Sequence, residues 1–210
     1  MLDPNDKNRL YWLSGSTCTG KTTISSLIGE KLNWNVFHCD EYERAQGERA
    51  DPDKHPTWHH YSRITGDELW FLERDEHVRV QEQAANEQLE LIVEDLIKFL
   101  KEDGRPLLYD GYVSPEQLDG LIPSKRHAYY MVAEEEFQRR NYAERQWTKN
   151  VLAKTSDPEQ AWDNWMYRDV TRARLLRQDI EKHGYAWHMV DGSISIEETV
   201  DKVIAHFTGV

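Results

Sequence analysis

One loop sequence, Gly15-x4-Gly20-Lys21-Thr22, constrains the fold of this chain more than any other feature. It follows the apolar residues 10–13, which predict a β-strand, and precedes a segment with apolar residues at helical spacing. Glycines let the backbone curl so that successive N–H groups face one anion, and the start of a helix adds the positive end of its dipole. The order strand, loop, helix therefore predicts a phosphate-binding loop in an α/β fold.

The loop matches the Walker A pattern at every fixed position. Lys21 is able to reach the β- and γ-phosphates of a nucleoside triphosphate as a mobile point charge, and the Thr22 hydroxyl is able to ligate Mg²⁺. Residues 15–23 contain no Asp or Glu that would repel a triphosphate. We therefore expect the nucleotide to contact the following residues: Gly15, Ser16, Thr17, Cys18, Thr19, Gly20, Lys21, Thr22 and Thr23.

The rest of the chain alternates short apolar runs with longer helical segments, a pattern typical of an α/β fold with a mainly parallel sheet. We predict a single domain over residues 1–210. Segment 41–75 is the least regular part, and its frequent aromatic residues favour a substrate-facing insertion. Long helices are predicted at 76–102 and 158–183. The predicted strands are 9–14, 35–39, 106–110, 128–133 and 185–190.

Composition narrows the partners and the compartment. The formal net charge of -12 disfavours nucleic acid, because binding a phosphate backbone normally requires a basic face. No apolar run is long enough to span a membrane, and residues 1–8 lack the apolar core of a signal peptide. Two cysteines, Cys18 and Cys39, do not make a disulfide framework. We therefore expect a cytoplasmic protein with a small-molecule partner, either a monomer or a homodimer.

Two carboxylates end predicted strands. Asp40 follows the second strand and Asp110 the third, so both are expected at the carboxyl edge of the sheet, where ligands bind in open α/β folds. Asp110 closes an apolar strand as a Walker B aspartate does, and we predict that it holds Mg²⁺ through water together with Thr22. The alternative for each aspartate is an ordinary turn or helix cap. Glu41 is able to share or replace the role of Asp40.

The loop, the strand-ending Asp40, and the stretches 107–112 and 190–193 together resemble the P-loop small-molecule kinases. That group includes nucleoside monophosphate, shikimate, gluconate and chloramphenicol kinases. The resemblance implies a three-layer fold around a five-stranded parallel sheet of order 2-3-1-4-5. It further implies ATP with Mg²⁺ as the phosphoryl donor, an Asp40 that contacts the acceptor hydroxyl, and a helical lid, here 134–183, that carries arginines.

The predicted lid is rich in arginine. In the resembling kinases such arginines neutralise the charge that develops on the transferring phosphoryl group. Acidic residues stand among them, so a solvated mixed-charge face is the alternative. We predict that Lys21, Asp40 and Arg145 are the catalytic residues. Trp147, Trp162 and Trp165 are expected to pack inside the lid. The other lid arginines are Arg139, Arg140, Arg168, Arg172, Arg174 and Arg177.

The insertion holds histidines and arginines of its own. The spacing of its histidines matches no zinc site, and no cysteine is near, so a polar packing role is favoured over a metal site. Its arginines are candidates to hold an anionic acceptor, because guanidinium groups suit carboxylate and phosphate. The histidines are His55, His59 and His60, and the arginines are Arg44, Arg49, Arg63 and Arg74.

Three functions compete at this point. The first is an ATP-dependent kinase that transfers the γ-phosphoryl group to a small molecule. The second is a nucleotide-binding regulatory module or slow ATPase with no such acceptor. The third is a nucleic-acid end kinase, which the acidic balance of the chain opposes. The sequence favours the first and leaves the acceptor open.

Overall fold

In the computed structural model, which describes residues 2–209, five strands form one parallel sheet of order β2-β3-β1-β4-β5. This order confirms the predicted fold class, and every strand boundary lies within one residue of its predicted position. The strands are β1 (Leu10–Gly15), β2 (Asn35–His38), β3 (Leu107–Gly111), β4 (Ala128–Ala133) and β5 (Ala186–Val190).

Helices of very different length join these strands. Within residues 2–209 they are α1 (Pro4–Arg9), α2 (Lys21–Leu32), α3 (Glu43–Arg49), α4 (Pro56–Tyr61), α5 (Asp67–Trp70), α6 (Arg74–Glu102), α7 (Pro115–Leu118), α8 (Glu135–Glu144), α9 (Gln146–Leu152), α10 (Pro158–His183) and α11 (Ile196–Thr208). Short 3₁₀ turns cover Cys39–Glu41 and Lys125–His127. None of the helices in this part of the chain is both long and apolar enough to cross a membrane.

The helices cover both faces of the sheet, which makes the predicted three layers. Successive side chains of a strand point to opposite faces. Trp12 accordingly packs with Leu96 of α6 and Ile180 of α10, whereas its neighbour Leu13 packs with Ile28 of α2 and Val203 of α11. Both faces of β1 are therefore buried, as expected for the central strand of a parallel sheet.

Local sequence signals set the ends of the later helices. Asp157 accepts hydrogen bonds from the first-turn N–H groups of α10, Pro158 occupies its first position, and Gly184 ends it with φ 67°. Ser195 and Glu198 form a reciprocal capping box at the start of α11. These ends agree with the prediction because each depends on residues adjacent in sequence.

The insertion is more regular than predicted. Residues 41–75 fold into α3, α4 and α5, and α4 packs on the long helix α6. Trp58 is buried against Ala84 and Leu91, and its backbone N–H donates to Glu87 Oε2 at 2.8 Å. Burial against α6 stabilises helices that would be too short to form alone.

A buried histidine in β5 is expected to make the stability of the protein sensitive to acid. Both ring nitrogens of His188, in β5, lack a hydrogen-bond partner within residues 2–209. Burial lowers the pKa of His188 to about 4, and the positive charge of Lys202 acts in the same direction. An unfolded histidine has a pKa of about 6.5, so the unfolded state binds the proton first and stability falls as pH drops from 6.5 towards 4.

We expect the free energy of unfolding to fall by about 1–2 kcal/mol between pH 7 and pH 5 from this residue. His188→Phe, which does not titrate, should lose that share of the pH dependence. Urea unfolding of both proteins at the two pH values measures it. An unchanged pH dependence in the variant would contradict the assignment.

Candidate active site

The loop after β1 is shaped by backbone crowding. A Cβ on Gly15 would lie 1.9 Å from the Met131 carbonyl oxygen, so only glycine fits where β1 passes β4. Gly20 is the N-cap of α2 with φ 78°, in the left-handed region that glycine adopts without strain. Cys18 also lies in that region, with φ 64°, which is uncommon for a residue with a side chain. The loop therefore curls back on itself between two glycines.

The curled loop carries a row of unpaired backbone donors. The Ser16 N–H donates to the Met131 carbonyl and the Ile24 N–H donates to the Gly20 carbonyl. Between them, no acceptor within residues 2–209 takes the N–H groups of residues 17–23. A set of parallel N–H groups at a helix start is an anion site.

Lys21 folds over this loop. Its Nζ donates to the Ser16 carbonyl at 2.6 Å and lies 3.4 Å from Thr19 Oγ1. Burial lowers the pKa of Lys21, while the negative charges of Asp110 and Asp40 act against that shift. The ammonium group thus lies between the loop and the two strand-end carboxylates.

Asp110 is held by a histidine from the neighbouring strand. His38 and Asp110 are register partners in β2 and β3, and His38 Nδ1 lies 2.9 Å from Asp110 Oδ2. Ser26 Oγ lies 3.3 Å from the other ring nitrogen of His38. With Asp110 ionised, Nδ1 is the donor, so this contact orients the carboxylate and commits one of its oxygens.

Two carboxylates follow β2. Asp40 and Glu43 both line the cavity in front of the loop, whereas Glu41 does not. Loss of hydration in the cavity raises the pKa of Asp40, against the opposing charge of Lys21. The same cause raises the pKa of Glu43 to about 7, and the charge of Asp40 adds to it. The sequence indicated Asp40 and gave no sign of Glu43.

The lid helix is broken at Arg145. A helical lid was expected over 134–183, and within it Arg145 adopts an extended conformation that separates α8 from α9. Its guanidinium lies 5.8 Å from the Tyr142 ring and 6.0 Å from the Trp147 ring, and no carboxylate within residues 2–209 pairs with it. Arg145 lines the cavity, so its charge remains available there.

The two arginines of α10 that share a face are committed elsewhere. Arg168 is buried and its Nε donates to Asp169 Oδ1 at 2.8 Å. Arg172 lines the cavity, but its Nε donates to Glu82 Oε1 at 2.5 Å. Of the predicted lid arginines, Arg145 is therefore the one that meets the cavity without a paired carboxylate in the described chain.

Asp169 joins the loop to the lid. Its buried Oδ2 accepts hydrogen bonds from Tyr142 OH at 2.6 Å, Trp165 Nε1 at 3.1 Å and Thr17 Oγ1 at 3.2 Å. The neighbouring Arg168 lowers the pKa of Asp169 against the effect of burial. One carboxylate thus fixes the phosphate loop, α8 and α10 relative to each other.

These groups surround one cavity of about 560 Å³. Residues 15–23 form one wall, Arg145 and Trp147 lie on the lid side, and α3, α4 and α6 form the far wall. Trp147 was expected to pack inside the lid, yet its side chain is half exposed because it faces this cavity. The volume is within the range of ligand sites in proteins.

The architecture has counterparts among solved structures. Shikimate kinase from Bacteroides thetaiotaomicron is similar over 95% of this chain and 97% of its own, with 12% identity and a TM-score of 0.53. The chain has a P-loop small-molecule kinase-like fold. Two further kinase structures match less well: shikimate kinase from Acinetobacter baumannii in complex with shikimate and a gluconokinase from Sinorhizobium meliloti.

The match to the Acinetobacter baumannii shikimate kinase covers 98% of both chains, with 16% identity and a TM-score of 0.46. The match to the gluconokinase covers 97% of this chain and 93% of that one, with 12% identity and a TM-score of 0.45. No protein-family model and no curated protein sequence matches this chain. Identities this low extend the likeness to the fold and no further.

Within this kinase-like fold, the predicted site residues meet at one place. The loop, Lys21, Asp40, Asp110 and Arg145 all line the cavity. His38, Glu43 and Asp169 were missed. His38 could have been predicted, because it lies near the end of a predicted strand, as Asp110 does. Asp169 lies four residues after Trp165, so the two side chains share one face of the predicted helix.

The insertion arginines do not reach the cavity, so the expectation that they hold an anionic acceptor there is wrong. Arg44 pairs with Glu48, and Arg49 pairs with Asp95. Arg63 donates to backbone carbonyls of the insertion, and Arg74 donates to Asn164. Arg49 and Arg74 thus connect the insertion to α6 and α10, whereas Arg44 and Arg63 make contacts inside the insertion.

Of the three insertion histidines, His55 has a clear structural role. His55 is buried, its Nε2 lies 3.2 Å from Glu90 Oε2, and its Nδ1 accepts from the Asp51 N–H. Within residues 2–209, no cluster of three or more His, Cys, Asp or Glu side chains is able to hold a metal ion. The contacts of His55 agree with the expected packing role, which remains a prediction for His59 and His60.

We predict that Gly15→Ala lowers the free energy of unfolding by about 1–3 kcal/mol, because the new methyl group would overlap the Met131 carbonyl. Gly104→Ala is the matched control, since a Cβ there meets nothing within 4 Å. Urea unfolding of the two variants measures the difference. Equal stability would show that β1 and β4 are not this close.

Proposed function

We propose that this protein is an ATP-dependent kinase that phosphorylates a small molecule. The observation that carries the proposal is the row of unpaired N–H groups at residues 17–23, with Lys21 above it and a cavity in front. Such a row binds phosphate oxygens through hydrogen bonds and the helix dipole. ATP and Mg²⁺ are the proposed cofactors, and the nine loop residues 15–23 are the proposed nucleotide contacts.

The residues present fit a magnesium ion. Mg²⁺ is typically held by one or two carboxylates together with substrate phosphates, so a complete protein cage is not needed. Thr22 begins α2 beside the loop, and His38 leaves one oxygen of Asp110 uncommitted. Thr22 and Asp110 are the proposed ligands. The ion would neutralise charge on the phosphates when bound.

The other side chains that line the cavity each have a proposed role in transferring the phosphoryl group. The acceptor hydroxyl oxygen forms a bond to the γ-phosphorus while the bond to the β,γ-bridging oxygen breaks, which leaves ADP. Asp40 orients the hydroxyl and takes its proton, consistent with its raised pKa. Lys21 and Arg145 stabilise the charge on the transferring group.

The cavity favours a kinase over a regulatory nucleotide-binding module. Its space extends from the loop to Trp58 and Gln88, well past the residues that would hold a triphosphate. A regulatory module that binds only a nucleotide needs no such space. In such a module the carboxylates of Asp40 and Glu43 would only repel the phosphates. An acceptor site accounts for both features.

The test is ADP release from ATP-Mg²⁺ with a panel of nucleosides, nucleotides, sugars and antibiotics. Lys21→Ala should abolish acceptor-dependent turnover, and Arg145→Ala should lower kcat about 100-fold or more, because each removes a charge at the transferring group. Acceptor-independent ATP hydrolysis alone would favour the regulatory module.

Arg139→Ala is the matched control for Arg145→Ala. Arg139 lies on α8, the helix that ends just before Arg145, pairs with Glu135 and is outside the cavity. Its loss should therefore leave kcat within about two-fold of the wild type. Equal losses in both variants would assign Arg145 a role in the lid surface only.

His38 gives an independent test of the proposed metal site. His38→Ala frees the Asp110 carboxylate, so the Mg²⁺ concentration for half-maximal activity should rise about 10-fold. His38→Asn keeps a donor near the position of Nδ1 and should restore most of the Mg²⁺ affinity. A lower kcat with an unchanged Mg²⁺ requirement would contradict the orienting role.

A further inference from the structure

If the proposed function holds, the acceptor binds against the far wall of the cavity. The side chains of this wall then indicate which class of molecule the acceptor is. This wall is built by α3, α4 and α6, and it faces the loop across the cavity. It was expected to present arginines to an anion. None of the four insertion arginines lines this cavity, although Arg44 and Arg63 line a second pocket that shares Glu43 and Trp58 with it. The wall presents carboxylates, amides and aromatic rings, with Arg172 as its cation.

The charges on this side are negative or already paired. Asp40 and Glu43 line the cavity with no ion-pair partner within residues 2–209. Arg172, the cation on this wall, has its Nε on Glu82, and Tyr112 OH donates to the second oxygen of the same carboxylate at 2.7 Å. With Lys21 and Arg145 at the phosphates, an anionic acceptor would meet net negative charge here.

A chain of amides fixes the polarity of Gln88. The buried carboxylate of Asp95 is able only to accept, so Gln46 turns its Nε2 towards Asp95 Oδ2 at 3.0 Å. Gln46 Oε1 then accepts from Gln88 Nε2 at 2.8 Å. Gln88 lines the cavity, and its own Oε1 has no partner among the hydrogen bonds of the described residues. The fixed chain therefore offers the cavity an acceptor.

Aromatic rings provide the rest of the wall. Trp58, Tyr61 and Tyr112 all line the cavity. Trp58 is buried on α6, the Arg168 guanidinium donates to Tyr61 OH at 3.1 Å, and the Arg172 guanidinium lies 4.3 Å from the Tyr112 ring. Rings held in this way give flat apolar contact at low entropic cost.

We propose that the acceptor is a hydroxyl-bearing ring compound that carries no anionic group, either uncharged or cationic. Its hydroxyl or amino groups donate to Asp40, Glu43 and Gln88, and its ring lies against Trp58, Tyr61 or Tyr112. A phosphate or carboxylate on the acceptor meets on this wall only Arg172, whose charge Glu82 already balances, and is repelled by the carboxylates of Asp40 and Glu43. This inference rests on the proposed function for the role of the site.

The decisive experiment compares ligands that differ in charge. Binding is measured by calorimetry with Mg²⁺ and a non-hydrolysable ATP analogue present, so that the loop is filled. Thymidine and its monophosphate form one pair, glucose and glucuronate, which keeps the sugar ring, a second, and adenosine and kanamycin extend the set without anions. We expect an anion-free compound to bind, and to bind at least 10-fold tighter than its anionic partner where the set contains one.

Equal or tighter binding of the anionic partner would overturn the inference, and so would the failure of every anion-free compound to bind at millimolar concentration. Binding does not depend on phosphoryl transfer. A preserved charge preference without ADP release would therefore defeat the proposed kinase activity alone. Turnover of an anionic acceptor would support the kinase and defeat the acceptor class.

Glu43→Gln tests the wall itself. At pH 8, above the pKa of about 7 of Glu43, the carboxylate is mostly ionised. Loss of its charge should then weaken binding of the best anion-free compound about 10-fold, since a hydrogen bond to a charged group becomes a neutral one. Glu48→Gln is the matched control on α3, because Glu48 pairs with Arg44 outside the cavity and its loss should leave binding unchanged. Equal effects of the two substitutions would remove Glu43 from the acceptor site.

Discussion

The buried carboxylate of Asp169 is the interaction on which the geometry of the site depends. It accepts from the phosphate loop through Thr17, from α8 through Tyr142, and from Trp165 and Arg168 of its own helix. Removing one member of a buried ion pair leaves an uncompensated charge, which costs about 3–5 kcal/mol. The pair therefore acts less as a source of stability than as a fixed joint between loop and lid.

Arg168 extends the same joint to the acceptor side. Its guanidinium lies over the Trp70 ring at 4.8 Å and donates to Tyr61 OH, and its Nη1 lies 3.2 Å from His77 Nε2. The loop, the lid and the insertion thus share one buried polar network. A ligand that shifts the insertion would shift Tyr61 and, through Arg168, the lid helix. The loop side and the insertion side of the cavity are therefore joined by one continuous set of buried contacts.

The parallel sheet brings the remaining groups together. The carboxyl ends of β1, β2 and β3 lie side by side, so the loop, Asp40 and Asp110 meet although long stretches of chain separate them. This convergence was open to prediction because every parallel strand delivers its last residues to the same edge. The positions of Glu43 and Gln88 were not, since they depend on how α3 and α6 pack across the cavity.

The resemblance to the P-loop small-molecule kinases implied the strand order. The sequence by itself predicted the five strands, the phosphate loop and the two strand-end aspartates. These features depend on residues close in the chain: alternating burial, glycines where a Cβ has no room, caps and helix stops. Tertiary structure decided the break at Arg145, the Asp169 joint and the partners of Arg49 and Arg74. The last two depend on which partner, distant in sequence, a charged side chain meets, and a charge pattern along one chain does not contain that information.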